Sequence, residues 1–116
     1  MRLFVYGSLM TGGWAHGRLR GGRLLGACAT EARFTLVDLG RYPGVVAGGI
    51  TAIAGEVYEV DEALLVELDD FEDVPELYVR DTLATPFGEA VVYRYVGGEV
   101  GAPVPSGDWR TYFRSR

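Results

Sequence analysis

The sequence has few of the residues that form disulfides, bind metals or contact nucleic acid. Cys28 is the single cysteine among 116 residues, so no intrachain disulfide can form and a disulfide-stabilised secreted fold is excluded. One histidine and one cysteine supply few of the usual zinc ligands. The 11 basic residues are outnumbered by 16 acidic ones, whereas proteins that bind nucleic acid usually present a basic face. We therefore expect no metal, no other cofactor and no nucleic-acid partner.

Long apolar runs are also missing. No apolar stretch approaches the roughly 20 residues that span a bilayer. The N-terminal residues lack the apolar region and the cleavage site of a signal peptide. We therefore expect no membrane partner and a cytoplasmic location. A length of 116 residues with 48% hydrophobic residues suits one domain, spanning residues 1–116, with a substantial core.

The 17 glycines lie between apolar runs and mark turns. The apolar runs at 3–6, 23–38, 55–60, 78–85 and 90–96 predict strands, and residues 41–44 predict a turn. Several strands without regular βαβ alternation favour an α+β sheet or a small barrel. The segment 108–113 predicts a capped helical turn, and we favour a packing role for Trp109 over a ligand role.

Two smaller features have a plain and a functional interpretation. Arg18, Arg20 and Arg23 form a basic cluster, which is either a solvated loop or, less often, an anion site. Cys28 lies in an apolar run, so a small buried side chain is favoured over a nucleophile.

One helix is clearly predicted after the third strand-like run. Asp61 is a good N-cap, and apolar residues then recur at helical spacing up to Phe71. The helix must end before Pro75, because proline disfavours helical geometry in its predecessor. On a helical wheel Glu72 falls about 20° from Leu65 and about 40° from Leu68. A carboxylate is therefore predicted on the apolar face.

Glu72 allows two interpretations. In the structural interpretation Glu72 has no reactive role: either the helix frays at its end so that Glu72 reaches water, or Glu72 forms an ion pair with an arginine such as Arg80. Alternatively Glu72 lines a pocket, where apolar walls raise a carboxyl pKa towards neutrality and suit it to proton transfer.

A second candidate feature is the loop Tyr6-Gly7-Ser8-Leu9, directly after the first strand. Consecutive backbone N–H groups at such a place can bind an anion or a polarised oxygen. No Gly-Lys-Ser/Thr follows, so this is not a Walker loop, and no second glycine frames Ser8 as in a nucleophile elbow.

Together these segments resemble a known family. Tyr6-Gly7-Ser8-Leu9 is similar to the first loop of γ-glutamyl cyclotransferase-like proteins. The segments 55–61, 68–72 and 75–80 resemble the second signature of γ-glutamylamine (AIG2-like) cyclotransferases, and the likeness runs in order over roughly residues 3–96. Many relatives carry Asn-His after the first loop, where this chain has Ala15-His16.

The resemblance implies a small mixed β-barrel with flanking helices and a metal-independent enzyme without cofactor. It implies that Glu72 is the catalytic acid/base and that Tyr6, Gly7, Ser8 and Leu9, with Tyr78, bind a small γ-glutamyl substrate. The α-amino group would attack the γ-carbonyl, releasing 5-oxoproline and an amine. Three alternatives stay open: an enzyme of the same fold that removes a γ-glutamyl protecting group, a non-catalytic binding module, and a structural β domain without a small ligand.

Overall fold

The computed structural model describes residues 1–99 and 101–116 of the chain. The strands and helices have the following bounds: β1 Arg2–Val5, β2 Arg23–Ala29, β3 Phe34–Asp38, β4 Pro43–Ala47, β5 Ala54–Glu59, α1 Glu62–Phe71, β6 Tyr78–Thr85, β7 Gly88–Tyr95, β8 Ala102–Pro103 and α2 Trp109–Ser115. A short 3-10 helix, His16–Leu19, follows the first loop. Neither α1 nor α2, in the part of the chain described, is long and apolar enough to cross a membrane.

The strands form one mixed sheet that curls into a half-barrel. Its order is β2-β5-β1-β7-β4-β3-β8, with β6 paired to β7. The pairs β1/β7 and β4/β7 are parallel, and the remaining pairs are antiparallel. The α+β class and the mixed, curled sheet with flanking helices are confirmed.

The sheet contains a gap that positions the site. One edge of β7 pairs first with β1, through Leu3 and Phe4, and then with β4, through Val45. Because both strands use the same edge of β7, β1 must leave the sheet where β4 begins. The buried Tyr6 hydroxyl joins them there: it donates to the Tyr93 carbonyl oxygen at 2.6 Å and accepts from the Val45 N–H at 3.0 Å.

Helix α1 matches the prediction from the sequence. The Asp61 side chain accepts a hydrogen bond from the Leu64 N–H at 2.8 Å, as an N-cap does. At its other end Asp73 adopts a positive φ of 56°. The Asp73 N–H donates to Asp70 O and the Val74 N–H to Asp69 O, which is the Schellman pattern. The helix therefore ends in a defined cap before Pro75, and Glu72 is its C-cap residue.

Three sequence predictions need correction. The sequence predicts a turn at residues 41–44, but β4 begins at Pro43. Proline is tolerated there because a first strand residue can lack an N–H donor. The run 23–38 is two strands, β2 and β3. Cys28, expected to be buried, is half-buried at the margin of the core.

The predicted C-terminal helical turn is a longer helix, α2, capped by Asp108. Trp109 is buried, with 2% of its surface exposed. Its ring stacks on Phe113 at 5.1 Å between centroids. The packing role predicted for Trp109 is confirmed.

Candidate functional site

A cavity opens where β1 and β4 separate, and it encloses about 350 Å³ of space, open solvent included. Its walls come from the end of β1 with the loop after it, the start of β4, the end of α1 and two tyrosines of β6 and β7. The lining residues are Phe4, Val5, Tyr6, Gly7, Ser8, Leu9, Tyr42, Pro43, Glu72, Tyr78 and Tyr93. All the residues that the sequence assigned to the site therefore lie around one cavity.

Glu72 is the one carboxylate in this lining, and no arginine or histidine accompanies it. Its side chain is half-buried. Desolvation by the surrounding apolar and aromatic walls raises its pKa from 4.5 to about 7, because burial disfavours the charged form. A carboxyl group with such a pKa exists in both protonation states near neutrality, as an acid/base must.

Glu72 adopts neither of the two structural alternatives, a frayed helix end or an ion pair with Arg80. Arg80 instead forms a bidentate pair with Asp69, with Nε–Oδ1 and Nη2–Oδ2 distances of 2.9 and 2.8 Å. The Tyr93 hydroxyl also donates to Asp69, at 2.7 Å. These contacts tie the last turn of α1 to the hairpin β6–β7. The helix does not fray at Phe71, since its cap holds Glu72 at a helical φ of −83°.

The loop after β1 lines the cavity and contains backbone donors without a protein partner. Within the part of the chain described, the N–H groups of Ser8 and Leu9 donate to no protein acceptor, whereas the Met10 N–H bonds to Gly7 O at 3.1 Å. Two adjacent free N–H groups can bind one oxygen that carries negative charge. This agrees with the oxyanion-binding role predicted for the loop.

Gly7 is required for its lack of a side chain and not for an unusual backbone conformation. It does not adopt a positive φ. A Cβ atom at this position would lie 2.6 Å from Cγ and Cδ of Pro43. Any larger residue must therefore push the loop away from the first residue of β4.

The two tyrosines assigned to substrate binding use their hydroxyl groups elsewhere. The Tyr6 hydroxyl bridges β7 and β4, as described above, and the Tyr78 hydroxyl donates to Pro43 O at 2.7 Å. Burial raises the pKa of both phenols well above the ordinary value. Both rings line the cavity, so what they offer a ligand is an apolar, neutral surface.

Ala15, which stands where many relatives carry asparagine, contacts the loop through its backbone. Ala15 is buried, and its N–H donates to Ser8 O at 3.0 Å. Next to it, His16 Nδ1 lies 2.9 Å from Leu9 O. Ala15 and His16 thus hold the Ser8 and Leu9 carbonyl groups and help to fix the path of the loop.

Sequence reasoning missed Glu56, a buried carboxylate that fixes the far end of the loop. It accepts from the Thr11 N–H at 2.8 Å and from the Tyr58 hydroxyl at 3.2 Å, and it pairs with Arg110 at 3.4 Å. The sequence signal for Glu56 lies in β5. Glu56 and Tyr58 are two residues apart, so they point to the same face of the strand, and both are buried.

Sequence reasoning also missed a second cleft that adjoins the first. It encloses about 400 Å³, open solvent included, and is lined by Ser8, Trp14, Tyr42, Phe71, Glu72, Leu77 and Tyr78. Four of these residues, Ser8, Tyr42, Glu72 and Tyr78, also line the first cavity. Glu72 therefore faces two connected spaces.

In residues 1–99 and 101–116 no group of three or more histidine, cysteine, aspartate or glutamate side chains is placed to hold a metal ion.

Comparison with known proteins identifies the family of the chain. Residues 3–111 match the family model described as gamma-glutamyl cyclotransferase, AIG2-like. The chain belongs to this family. A Vibrio cholerae relative, provisionally named as a gamma-glutamylcyclotransferase, is 46% identical over 108 residues, which cover 92% of this chain and 93% of that one. Family membership supports gamma-glutamylcyclotransferase activity in general.

Solved structures of the AIG2-like type share the fold. An uncharacterized protein from Pyrococcus horikoshii matches with a TM-score of 0.86 and 28% identity, covering 99% of this chain and 94% of that one. An AIG2-like protein from Mus musculus matches with a TM-score of 0.75 and 32% identity, covering 84% of this chain and 78% of that one.

Proposed function

We propose that the protein is a metal-independent cyclotransferase that releases 5-oxoproline and a free amine from γ-glutamyl amines or peptides. The observation that carries the proposal is Glu72: a carboxyl group without a cationic partner, in an apolar cavity, with a pKa near 7. Beside it the free N–H groups of Ser8 and Leu9 supply donors for a developing oxyanion. The family match favours the same chemistry.

The reaction balances without any other reactant. The α-nitrogen of the γ-glutamyl unit attacks its γ-carbonyl carbon, a five-membered lactam forms, and the bond from that carbon to the leaving nitrogen breaks. Of the three protons on the α-ammonium group, one stays on the ring nitrogen and two pass to the leaving nitrogen. Glu72 accepts a proton from the attacking nitrogen and donates one to the leaving nitrogen.

The cavity assists by holding the substrate folded. Intramolecular attack is fast only when the nitrogen is close to the carbonyl carbon and correctly oriented towards it. The rigid walls made by Tyr6, Tyr78 and Pro43, whose polar groups bond to one another and to the sheet, would restrict the γ-glutamyl chain to such a pose.

The test is incubation with a panel of γ-glutamyl amines and peptides, with 5-oxoproline and the free amine measured by mass spectrometry. We expect equal amounts of both products, and Glu72→Gln should reduce the rate at least ~100-fold because glutamine cannot transfer a proton. A folded protein that releases no 5-oxoproline from any member, or a fully active Glu72→Gln variant, would contradict the proposal.

A further inference from the structure

The loop after β1 borders open space on two sides. Gly7 and Ser8 line the cavity that contains Glu72. The same two residues line a hollow on the side of α2, which encloses about 1070 Å³, open solvent included. Packing against protein atoms is therefore incomplete on both sides of this segment, so hydrogen bonds contribute much of what fixes its path.

The direction of the two unpartnered N–H groups depends on the carbonyl groups of their own peptides. In a trans peptide the N–H and the C=O point in opposite directions. Gly7 O, in the peptide of the Ser8 N–H, accepts from the Met10 N–H at 3.1 Å, and Ser8 O, in the peptide of the Leu9 N–H, accepts from the Ala15 N–H at 3.0 Å. A shift of the chain after Met10 would therefore turn these peptides and move both N–H groups.

Thr11, the next residue, has every polar group bonded. Its N–H and its hydroxyl donate to Glu56 Oε1 at 2.8 and 3.2 Å. The hydroxyl also lies 3.0 Å from the Tyr58 hydroxyl. Its carbonyl oxygen accepts from Arg110 Nη1 at 3.2 Å, and the same nitrogen pairs with Glu56 at 3.4 Å. One side chain from β5 and one from α2 thus hold Thr11 together.

Glu56 lies where the loop leaves the sheet. It pairs in register with Val5, the last residue of β1. Only 8% of its side chain is exposed, and among the described residues Arg110 is the one cation within 4.0 Å of its carboxylate. A buried ion pair adds little stability compared with well-packed apolar side chains. The arrangement is therefore better explained by the loop that it holds than by stability alone.

Helix α2 gives Arg110 a fixed base. Trp109 packs in the core, and the Tyr112 hydroxyl donates to Asp38 Oδ2 at 2.7 Å. All of α2 lies in the described part of the chain, and it contributes no residue to the lining of the Glu72 cavity or of the cleft beside it. Any effect of Arg110 on the reaction must therefore pass through the loop.

We propose that Glu56 and Arg110 are positioning residues for the reaction, which act through Thr11 to set the path of the loop. With the loop held, the Ser8 and Leu9 N–H groups keep the direction needed to bind the developing oxyanion. The inference rests on the proposed cyclotransferase function. It gives α2, which lies outside the cavity, a part in catalysis.

The test measures kcat and KM of Glu56→Gln and Arg110→Ala with a γ-glutamyl substrate that the wild type converts. Glutamine keeps the volume of Glu56, but one of its two polar atoms is an NH2 donor, so it cannot satisfy both Thr11 and Arg110. We expect kcat to fall about tenfold in each variant. This is less than the loss of about 100-fold or more when an oxyanion donor is removed, because the donors are displaced and not deleted. KM should change less than about threefold, since the oxyanion exists only during the reaction.

Three readouts distinguish a displaced loop from a general loosening of the fold. The pH at which kcat/KM is half-maximal should stay at about 7, the pKa of Glu72, because water entering a loosened cavity would lower that pKa. Arg110→Lys should recover most of the lost kcat, since an ammonium group can still donate to Glu56 and to Thr11 O. Hydrogen exchange of the Thr11 amide, followed by NMR, should be faster in Glu56→Gln and Arg110→Ala than in the wild type.

The matched control is Arg94→Ala. Arg94 and Arg110 are exposed to a similar extent, 34% and 39%, and Arg94 also pairs with a carboxylate, that of Asp81 at 3.0 Å. Arg94 contributes to neither space around Glu72. The control should keep kcat within about twofold and should leave exchange of the Thr11 amide unchanged. Thermal melting checks the folding of each variant, and if Glu56→Gln does not fold, the Arg110 variants decide.

A wild-type kcat in the folded variants, an equal loss of kcat in Arg94→Ala, or a half-maximal pH that falls with kcat overturns this inference and leaves the cyclotransferase function intact. No release of 5-oxoproline by the wild type from any substrate overturns the proposed function and this inference with it.

Discussion

Replacing Glu72 by glutamine should raise the free energy of unfolding at alkaline pH relative to the wild type, and it should remove activity. The environment raises the pKa of Glu72 from 4.5 to about 7 by desolvation. Below about pH 4.5 the group is protonated in both the folded and the unfolded chain, so it contributes no pH dependence. Between 4.5 and about 7 the unfolded chain loses the proton while the folded chain keeps it. The free energy of unfolding therefore falls as pH rises through this window, and the loss is complete above about 7.

The size of the effect follows from the shift. At 1.36 kcal/mol per pKa unit, a shift of this size corresponds to about 3 kcal/mol. Because the cavity is open to solvent and Glu72 is half-buried, we expect about 1–3 kcal/mol after screening. Glutamine does not titrate, so the variant should lack this loss. The difference in unfolding free energy, variant minus wild type, should rise by that amount between about pH 4 and about pH 8.

The assay is urea unfolding followed by tryptophan fluorescence at the two pH values. Glu67→Gln, on the exposed face of the same helix, is the control and should show no such rise. The same pKa should appear in the kinetics, with kcat/KM of the wild type increasing as pH rises through about 7, when Glu72 becomes the base. If the difference between variant and wild type is the same at both pH values, Glu72 is not desolvated in solution and our assignment of its pKa is wrong.

Three further predictions concern the surroundings of this carboxyl group. Gly7→Val should weaken 5-oxoproline binding, measured by calorimetry, far more than Ser8→Ala, for which we expect less than about a tenfold loss; the reverse order would mean that the hydroxyl and not the backbone makes the contact. Asp69→Ala should lower the free energy of unfolding by about 1–3 kcal/mol, because it removes the shortest hydrogen bonds of the Arg80 guanidinium and the Tyr93 hydroxyl and leaves each with one longer contact, to Glu62 and to Leu65 O. The effects of Asp69→Ala and Arg80→Ala should not add in the double variant, and simple additivity in urea unfolding would show that the pair is not coupled. Activity should survive EDTA, and its loss with recovery on adding zinc would disprove a metal-independent reaction.

The parts of the site that follow local rules could be predicted from the sequence. Helix α1 has a clear cap and a regular apolar period, so a helical wheel is enough to place Glu72 beside Leu65 and Leu68. The cap formed by Asp73 was not predictable in the same way, because glycine is the usual residue at that position. What the sequence does show is that the helix must end before Pro75.

The parts that depend on distant pairing could not be predicted. Pro43 and Gly44 are typical of a turn, and their place in β4 is set by pairing with β3 and β7. The hydroxyl groups of Tyr6 and Tyr78 bond to residues 87 and 35 positions away. No local pattern shows that these hydroxyl groups bond within the wall of the cavity.

Asp69, in the last turn of α1, and Glu72, its C-cap residue, show how the fold separates a carboxylate with a cationic partner from one that lines the cavity without a cation. Burial alone would raise the pKa of Asp69, but hydrogen bonds from Arg80 and Tyr93, together with the Arg80 charge, hold it below the ordinary value. Glu72 has the burial without the partners, so its pKa is raised. Opposite shifts in neighbouring groups are what distinguish a proton carrier from a fixed charge. The Arg80 pair thus anchors the last turn of α1 through Asp69, and the lining of the cavity holds Glu72 without a cation.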